Sequence, residues 1–308
     1  MNSFIEKNPF SIYDFLGYFF PGTIILIFIA VISSGDIDNF ENFDFKSILQ
    51  SNIFIDISFT SAIFFIVFSY ILGHIISYTS SLTVEKFSLW CYGYPSEFLL
   101  DQRRNTGFWS SFITTSGTTL NSLRQLISSN DNFVLTIITH TLIKILVSTL
   151  LLPISLGVIL CNFLHFKEYI VRPLDKFIIS AIYKKLEGLL LMLGLHSDKT
   201  NVESDFIKII YHYYIHKSNN GILMQKLNNY VALYGFLRSL ALSLDILTIF
   251  SYIMTFLSDN ISVLIPITFN IFAFIVFLAY IKFYRRYSLE IFMYLATDEE
   301  IKVDTSGL

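Results

Sequence analysis

The chain has 308 residues, of which 54% are hydrophobic and 15% charged, with a formal net charge of −3 and a mean hydropathy of +0.60. Soluble domains carry about 25% charged residues and, at this size, still leave roughly a quarter of the chain's area in water. So much apolar surface excludes a soluble domain and a disordered chain; with Cys91 and Cys161 the only cysteines, a secreted disulfide scaffold is excluded too.

A helix crossing a bilayer needs about 20 mostly apolar residues, because the hydrocarbon layer is about 30 Å thick. The first such stretch is Phe15–Ser33, uncharged, with Asp14 placed to cap its first turn and Pro21-Gly22 predicting a kink. Its leader lacks a basic region and no A-x-A site follows, so it reads as a retained helix and not a removable signal peptide. The second, Ile57–Tyr78, carries only His74 as an ionisable group. Residues 79–132 form a non-membrane block with turn points at Gly93, Pro95 and Gly107. An apolar segment, 133–166, follows; within it Ile145–Leu164 is long enough to cross but is interrupted by Pro153. Residues 167–230 mix nine Lys/Arg with six Asp/Glu over two helix-like stretches, Ile178–Leu195 (amphipathic) and Asp205–Lys217. The C-terminal hairpin, 231–284, holds Ser239–Leu257, with Asp245 inside it, and Ile261–Ile281, and a tail covers 285–308. The expected fold is mainly α, a polytopic membrane protein with four transmembrane helices, a possible fifth and a helical cytosolic portion.

Lys and Arg counts bear on the fifth segment. If it does not cross and the N-terminus is cytoplasmic, Lys46 is the only one of 21 basic residues outside. If it crosses, Lys7, Lys86, Arg103, Arg104 and Arg124 fall on the wrong side. Charge therefore favours four spans plus a re-entrant or buried helix, and hydropathy favours five. Either way the C-terminus is expected in the cytoplasm.

No nucleotide-binding, hydrolase or zinc-protease motif occurs, and no catalytic residue, metal site or cofactor is expected. His212 and His216 share a helix face but lack a third ligand. The informative residues are ionisable groups at membrane depth, which need partners or water. Arg238 and Asp245 are seven apart, and Thr248, Tyr252 and Thr255 continue the same side of the helix. This stripe lines a pore, or else Asp245 pairs with Arg238 or hydrogen-bonds a neighbouring helix as structural glue. Arg172, Lys176, Lys184 and Lys185, with Arg103 and Arg104 elsewhere, are candidates to bind anionic headgroups or a nucleotide's phosphates.

YDFLGYFFPG at 13–22, YILGHIISYTSSLTVEKFSLWCYGYPSEFLL at 70–100, NNYVALYGFLRSLALSL at 228–244 and YRRYSLEIFMYL at 284–295 resemble a set of bacterial inner-membrane proteins of similar length. Proteins of that design occur as membrane effectors in anti-phage defence operons, for example beside a nucleotidyltransferase, as in the Hailong system. The resemblance implies a homo-oligomeric effector in the lipid bilayer whose membrane part opens an ion conductance. It also implies control by a cytosolic nucleotide or oligonucleotide and an operon-encoded partner enzyme. A transporter subunit, or a scaffold recruiting a soluble enzyme, is the alternative expectation.

Overall fold

The computed structural model describes residues 15–33, 59–102, 131–194, 206–217, 221–257 and 262–301. Among these, every regular element is helical and none is a strand.

A π turn over Phe15–Phe19 leads into α1, Phe20–Ser33. Pro21 has no N–H to give the Gly17 carbonyl, so an i+4 bond is lost where the winding changes. The expected disturbance at Pro21-Gly22 thus takes the form of a π turn just ahead of the proline. α2 covers Phe59–Ser80 and passes through a second π turn, Ser81–Glu85, into α3, Lys86–Tyr92. Gly93 stops the run in the left-handed region (φ 80°), its N–H donating to the Leu89 carbonyl at 2.9 Å. A short α4, Pro95–Leu99, follows with proline in its first turn.

α5, Asp131–Leu150, and α6, Leu152–Phe163, meet at Leu151 with a bend of 97°. Pro153 explains the break: in the first turn of a new helix its missing N–H is harmless, whereas inside one long helix it would leave the Thr149 carbonyl without its donor. With 12 residues, α6 is about 18 Å long, well short of a bilayer's hydrocarbon thickness. The remaining helices are α7 (Lys167–Ile170), α8 (Lys176–Met192), α9 (Phe206–Lys217), α10 (Gly221–Leu257) and α11 (Leu264–Thr297).

Among the described residues, three helical runs are long and apolar enough to cross a membrane: Ala62–Leu99, Leu223–Leu257 and Leu264–Thr297. The bent α5–α6 pair is a fourth only if its two halves count as one span. The first expected span, Phe15–Ser33, is helical, but its apolar helix is the shorter Gly17–Ile29. The helices also overrun the expected segment boundaries. α2 continues past Tyr78, α10 begins at Gly221 inside the expected 167–230 segment, and α11 runs beyond 284 to Thr297.

Two compact units divide the chain. One takes Met1–Phe87, Ile143–Leu164 and Ala232–Tyr280; the other takes Ser88–Leu142, His165–Val231 and Ile281–Leu308. In the first, α1 and α2 approach backbone to backbone at Gly22 and Gly73, where a Cβ would collide with the carbonyls of Ser69 and Tyr18. The interior adds Ala273, Phe277 and Tyr280 of α11, while Phe64, Phe68 and Ile75 of α2 and Phe272 of α11 stay exposed, as a lipid-facing surface would. In the second unit, Ile182, Leu186 and Leu189 of α8 are buried with Ile210 of α9 and Ile291, Phe292 and Leu295 of α11. The amphipathic character expected of 178–195 is spent on this core.

Candidate functional site, a capped half-helix and an ion pair on one helix

The candidate stripe lies on α10. Asp245 and Thr248 are fully buried, together with Ser239, Ser243 and Ser251; Arg238, Tyr252 and Thr255 are half-buried. The hydroxyls return to their own helix: Ser243 donates to the Ser239 carbonyl (3.2 Å), Thr248 to Leu244 (2.7 Å), Ser251 to Leu247 (2.7 Å) and Thr255 to Ser251 (2.8 Å). Small residues with satisfied hydroxyls let neighbouring helices come close. The stripe therefore faces the interior of its own unit.

Arg238 and Asp245 do not pair with each other. The Arg238 guanidinium forms an ion pair with Glu85. It also donates from Nε to Ser80 Oγ at 3.2 Å and from a terminal nitrogen to the Ser77 carbonyl at 3.5 Å. Ser80 Oγ in turn lies 3.5 Å from Ser239 Oγ. The π turn is what aims these groups, because inserting a wider turn after Ser80 sets Glu85 on the side that meets α10.

Asp245 meets the broken pair. Its Oδ1 accepts the N–H of Ile154 at 3.3 Å, and Ile154 is the third residue of α6. Leu151, at the N-cap, has no side chain able to cap, and Pro153 has no N–H, so a carboxylate from α10 does the capping. Phe274 of α11 lies against Gly157 of α6, so α6 is held by both long helices of the unit. Asp245 Oδ2 is buried and has no hydrogen-bond partner.

The magnitudes decide what this arrangement is for. A helix cap contributes about 1 kcal/mol, and a charge at a helix terminus adds at most about 2 kcal/mol. A carboxylate at membrane depth costs about 3 kcal/mol or more, and an unsatisfied polar atom adds to that. Asparagine would cap as well without the charge. Capping alone therefore gives no reason for a carboxylate at 245.

Among the basic candidates, Lys185 is engaged within the protein. Lys185 Nζ donates to the carbonyls of Asp298 (2.6 Å) and Ile301 (2.8 Å), closing the C-terminal end of α11 as a cation closes a helix dipole. It is not available to a phosphate. Arg172, Lys176 and Lys184 are exposed, and Arg103 and Arg104 lie outside the described residues. His212 and His216 are exposed, and no group of three or more His, Cys, Asp or Glu comes together among the described residues. Sequence reasoning missed Glu85, Ser80 and Ile154. Glu85 was accessible in principle, as the acid nearest the end of the second span.

Beside Lys185, the Tyr214 hydroxyl donates to Asp298 Oδ2 at 2.9 Å and its ring meets Tyr294 edge-on at 4.7 Å. Burial and then the Asp298 carboxylate push the Tyr214 phenol well above its usual value of 10.0. Raised in the folded state, it contributes stability that is complete below about pH 10 and is lost as the unfolded chain's tyrosine ionises. Unfolding of the wild type should become easier above pH 10, by about 1.4 kcal/mol per pH unit from this group. Tyr214→Phe should flatten that slope in chemical denaturation followed between pH 9 and 11; an unchanged slope would contradict the burial.

No family model, no curated protein and no solved structure matches the chain.

Proposed function

We propose that the protein is an oligomeric effector of a bacterial inner membrane that provides a gated ion conductance, of the kind used in anti-phage defence. One observation carries the conductance: a fully buried carboxylate with one unpartnered oxygen stands at the start of a half-helix, beside a break in the chain. Broken helices are tolerated at membrane depth where they are enclosed by protein or line a watery path, and their termini are where such proteins meet ions. In this reading four helices cross, namely α1, α2, α10 and α11, and α5–α6 enters and returns. The 97° bend, the shortness of α6 and the Lys/Arg count, which leaves only Lys46 outside, support that topology. Both termini then lie in the cytoplasm. Because the stripe is interior to one unit, the path runs through each subunit beside α6 and not along a seam between subunits. A cytosolic nucleotide or oligonucleotide made by a partner enzyme controls opening; Arg172, Lys176 and Lys184 are exposed for its phosphates, with Arg103 and Arg104 the further candidates. The broken helix also fits a transporter subunit, whose substrate sites are built from discontinuous helices.

The test is membrane potential, read with a voltage-sensitive dye in cells making the protein, and current across planar bilayers. Wild type should depolarise the cells and carry current, and Asp245→Asn should lower the current at least tenfold. Full current in the variant would remove Asp245 from the path. Solute flux in vesicles without depolarisation would replace the conductance with transport.

A further inference from the structure

We propose that the break between α5 and α6, together with Asp245, binds one dehydrated monovalent metal cation. Three oxygens at this place lack their usual donors. Asp245 Oδ2 is buried with no partner. The Thr149 carbonyl would receive the N–H of the residue four positions on, but that residue is Pro153. The Leu150 carbonyl would receive the Ile154 N–H, and that N–H is given to Asp245. Each is a hard oxygen acceptor of the kind alkali cations take in place of water.

The field at the break has the right shape. α5 ends there, so its last carbonyls present the negative end of a helix dipole, and α6 begins there with the positive end. The carboxylate sits against the start of α6, as a negative group should, and its other oxygen is left without a protein partner. One carboxylate balances one positive charge. A divalent ion would keep a net charge in the oily layer, and transition metals lack their ligands, since no cluster of His, Cys, Asp or Glu is present among the described residues. A proton on Oδ2 would give that atom a hydrogen to donate but would not replace the helical donors the two carbonyls lose. The proposal also accounts for the carboxylate that capping left unexplained: asparagine can cap α6 but cannot neutralise a cation.

The site is the one on which the conductance reading rests, so the two take different measurements. Purified protein in lipid nanodiscs is unfolded thermally in sodium, potassium, lithium or choline chloride at equal ionic strength, each over a pH series. The midpoint should rise by several degrees when one of the metal ions replaces choline, and the rise should saturate, because an ion that binds only the folded state stabilises it by mass action. Asp245→Asn, isosteric and still able to cap, should abolish the response. Pro153→Ala returns a donor to the Thr149 carbonyl and should weaken apparent cation affinity at least tenfold with Asp245 intact. Equal midpoints in metal and choline salts would overturn the proposal. So would an unchanged response in Asp245→Asn, a dependence on pH alone, or a stronger response to magnesium. A cation-dependent midpoint without depolarisation would keep the site and remove the conductance; current without a cation-dependent midpoint would do the reverse.

Discussion

Leucine in place of Gly73 is expected to unseat α1 from α2 and to leave little native protein in mild detergent. A side chain here has nowhere to go, because even a Cβ would overlap the Tyr18 carbonyl, and one on Gly22 would overlap the Ser69 carbonyl. Ser69 and Gly73 are four apart on α2, the small-xxx-small spacing by which membrane helices bring their backbones together. Close approach gains packing and Cα–H···O contacts that no longer side chain could replace. It also sets the Tyr18 ring on His74, with centroids 4.0 Å apart, and Tyr70 edge-on to the same imidazole at 4.5 Å. Overpacking a core that can adjust its side chains costs about 1–3 kcal/mol; here backbone must move, so the expected loss is about 3 kcal/mol or more. The unfolding midpoint in increasing SDS measures it. Gly17→Ala and Gly235→Ala are the controls, since a Cβ at either meets nothing within 4 Å. Their stability should stay within about 1 kcal/mol of wild type. Wild-type behaviour of Gly73→Leu would mean that the two helices are not in contact there.

The second large effect concerns Arg238. Arg238→Met should destabilise the protein by about 2–4 kcal/mol, while Arg238→Met with Glu85→Gln should recover most of that loss. With the arginine gone, the Glu85 carboxylate keeps its half-buried place without its cation, and a stranded charge costs more than the pair contributes. Removing both charges leaves only neutral groups to satisfy. Glu85 retains some exposure, which places the expectation below the 3–5 kcal/mol or so of a fully buried pair. A double-mutant cycle on unfolding free energies reads the coupling directly. Additive losses would show that the ion pair contributes nothing to the fold.

Composition and hydropathy made the membrane character and the C-terminal pair of long helices legible, because both depend on local sequence alone. Hydropathy was a poor guide to where helices stop. It marks where the apolar run ends, and α2, α10 and α11 all continue past that point. Pro153 announced a break but not its angle, since the direction of α6 is fixed by Asp245 and Phe274 from other helices. The partners on α10 were harder still. Glu85 is 153 residues from Arg238 in sequence, and seven-residue spacing on α10 made Asp245 look like the nearer acid. Asp245 itself bonds a backbone N–H, which every residue but proline carries and no side-chain pattern discloses. Asp245 bonds the neighbouring helix α6 and not Arg238. Lys185 read as a candidate for headgroups or phosphates because it stands in a basic cluster with Arg172, Lys176 and Lys184; the carbonyls that hold it come from more than a hundred residues later.

The dependence of α6 on Asp245 has a consequence for how the chain is made. A ribosome delivers residues 152–163 to the insertion machinery before residue 245 has been synthesised. Until α10 arrives, the bent arrangement lacks the carboxylate that accepts the Ile154 N–H, and lipid supplies no replacement. An unsatisfied amide in hydrocarbon costs several kcal/mol, so the short segment is expected to wait at the bilayer surface during translation. On the proposed re-entrant topology its entry is then expected to be a late, post-insertion step, and a chain truncated ahead of α10 is expected to leave the segment accessible to water-borne labels.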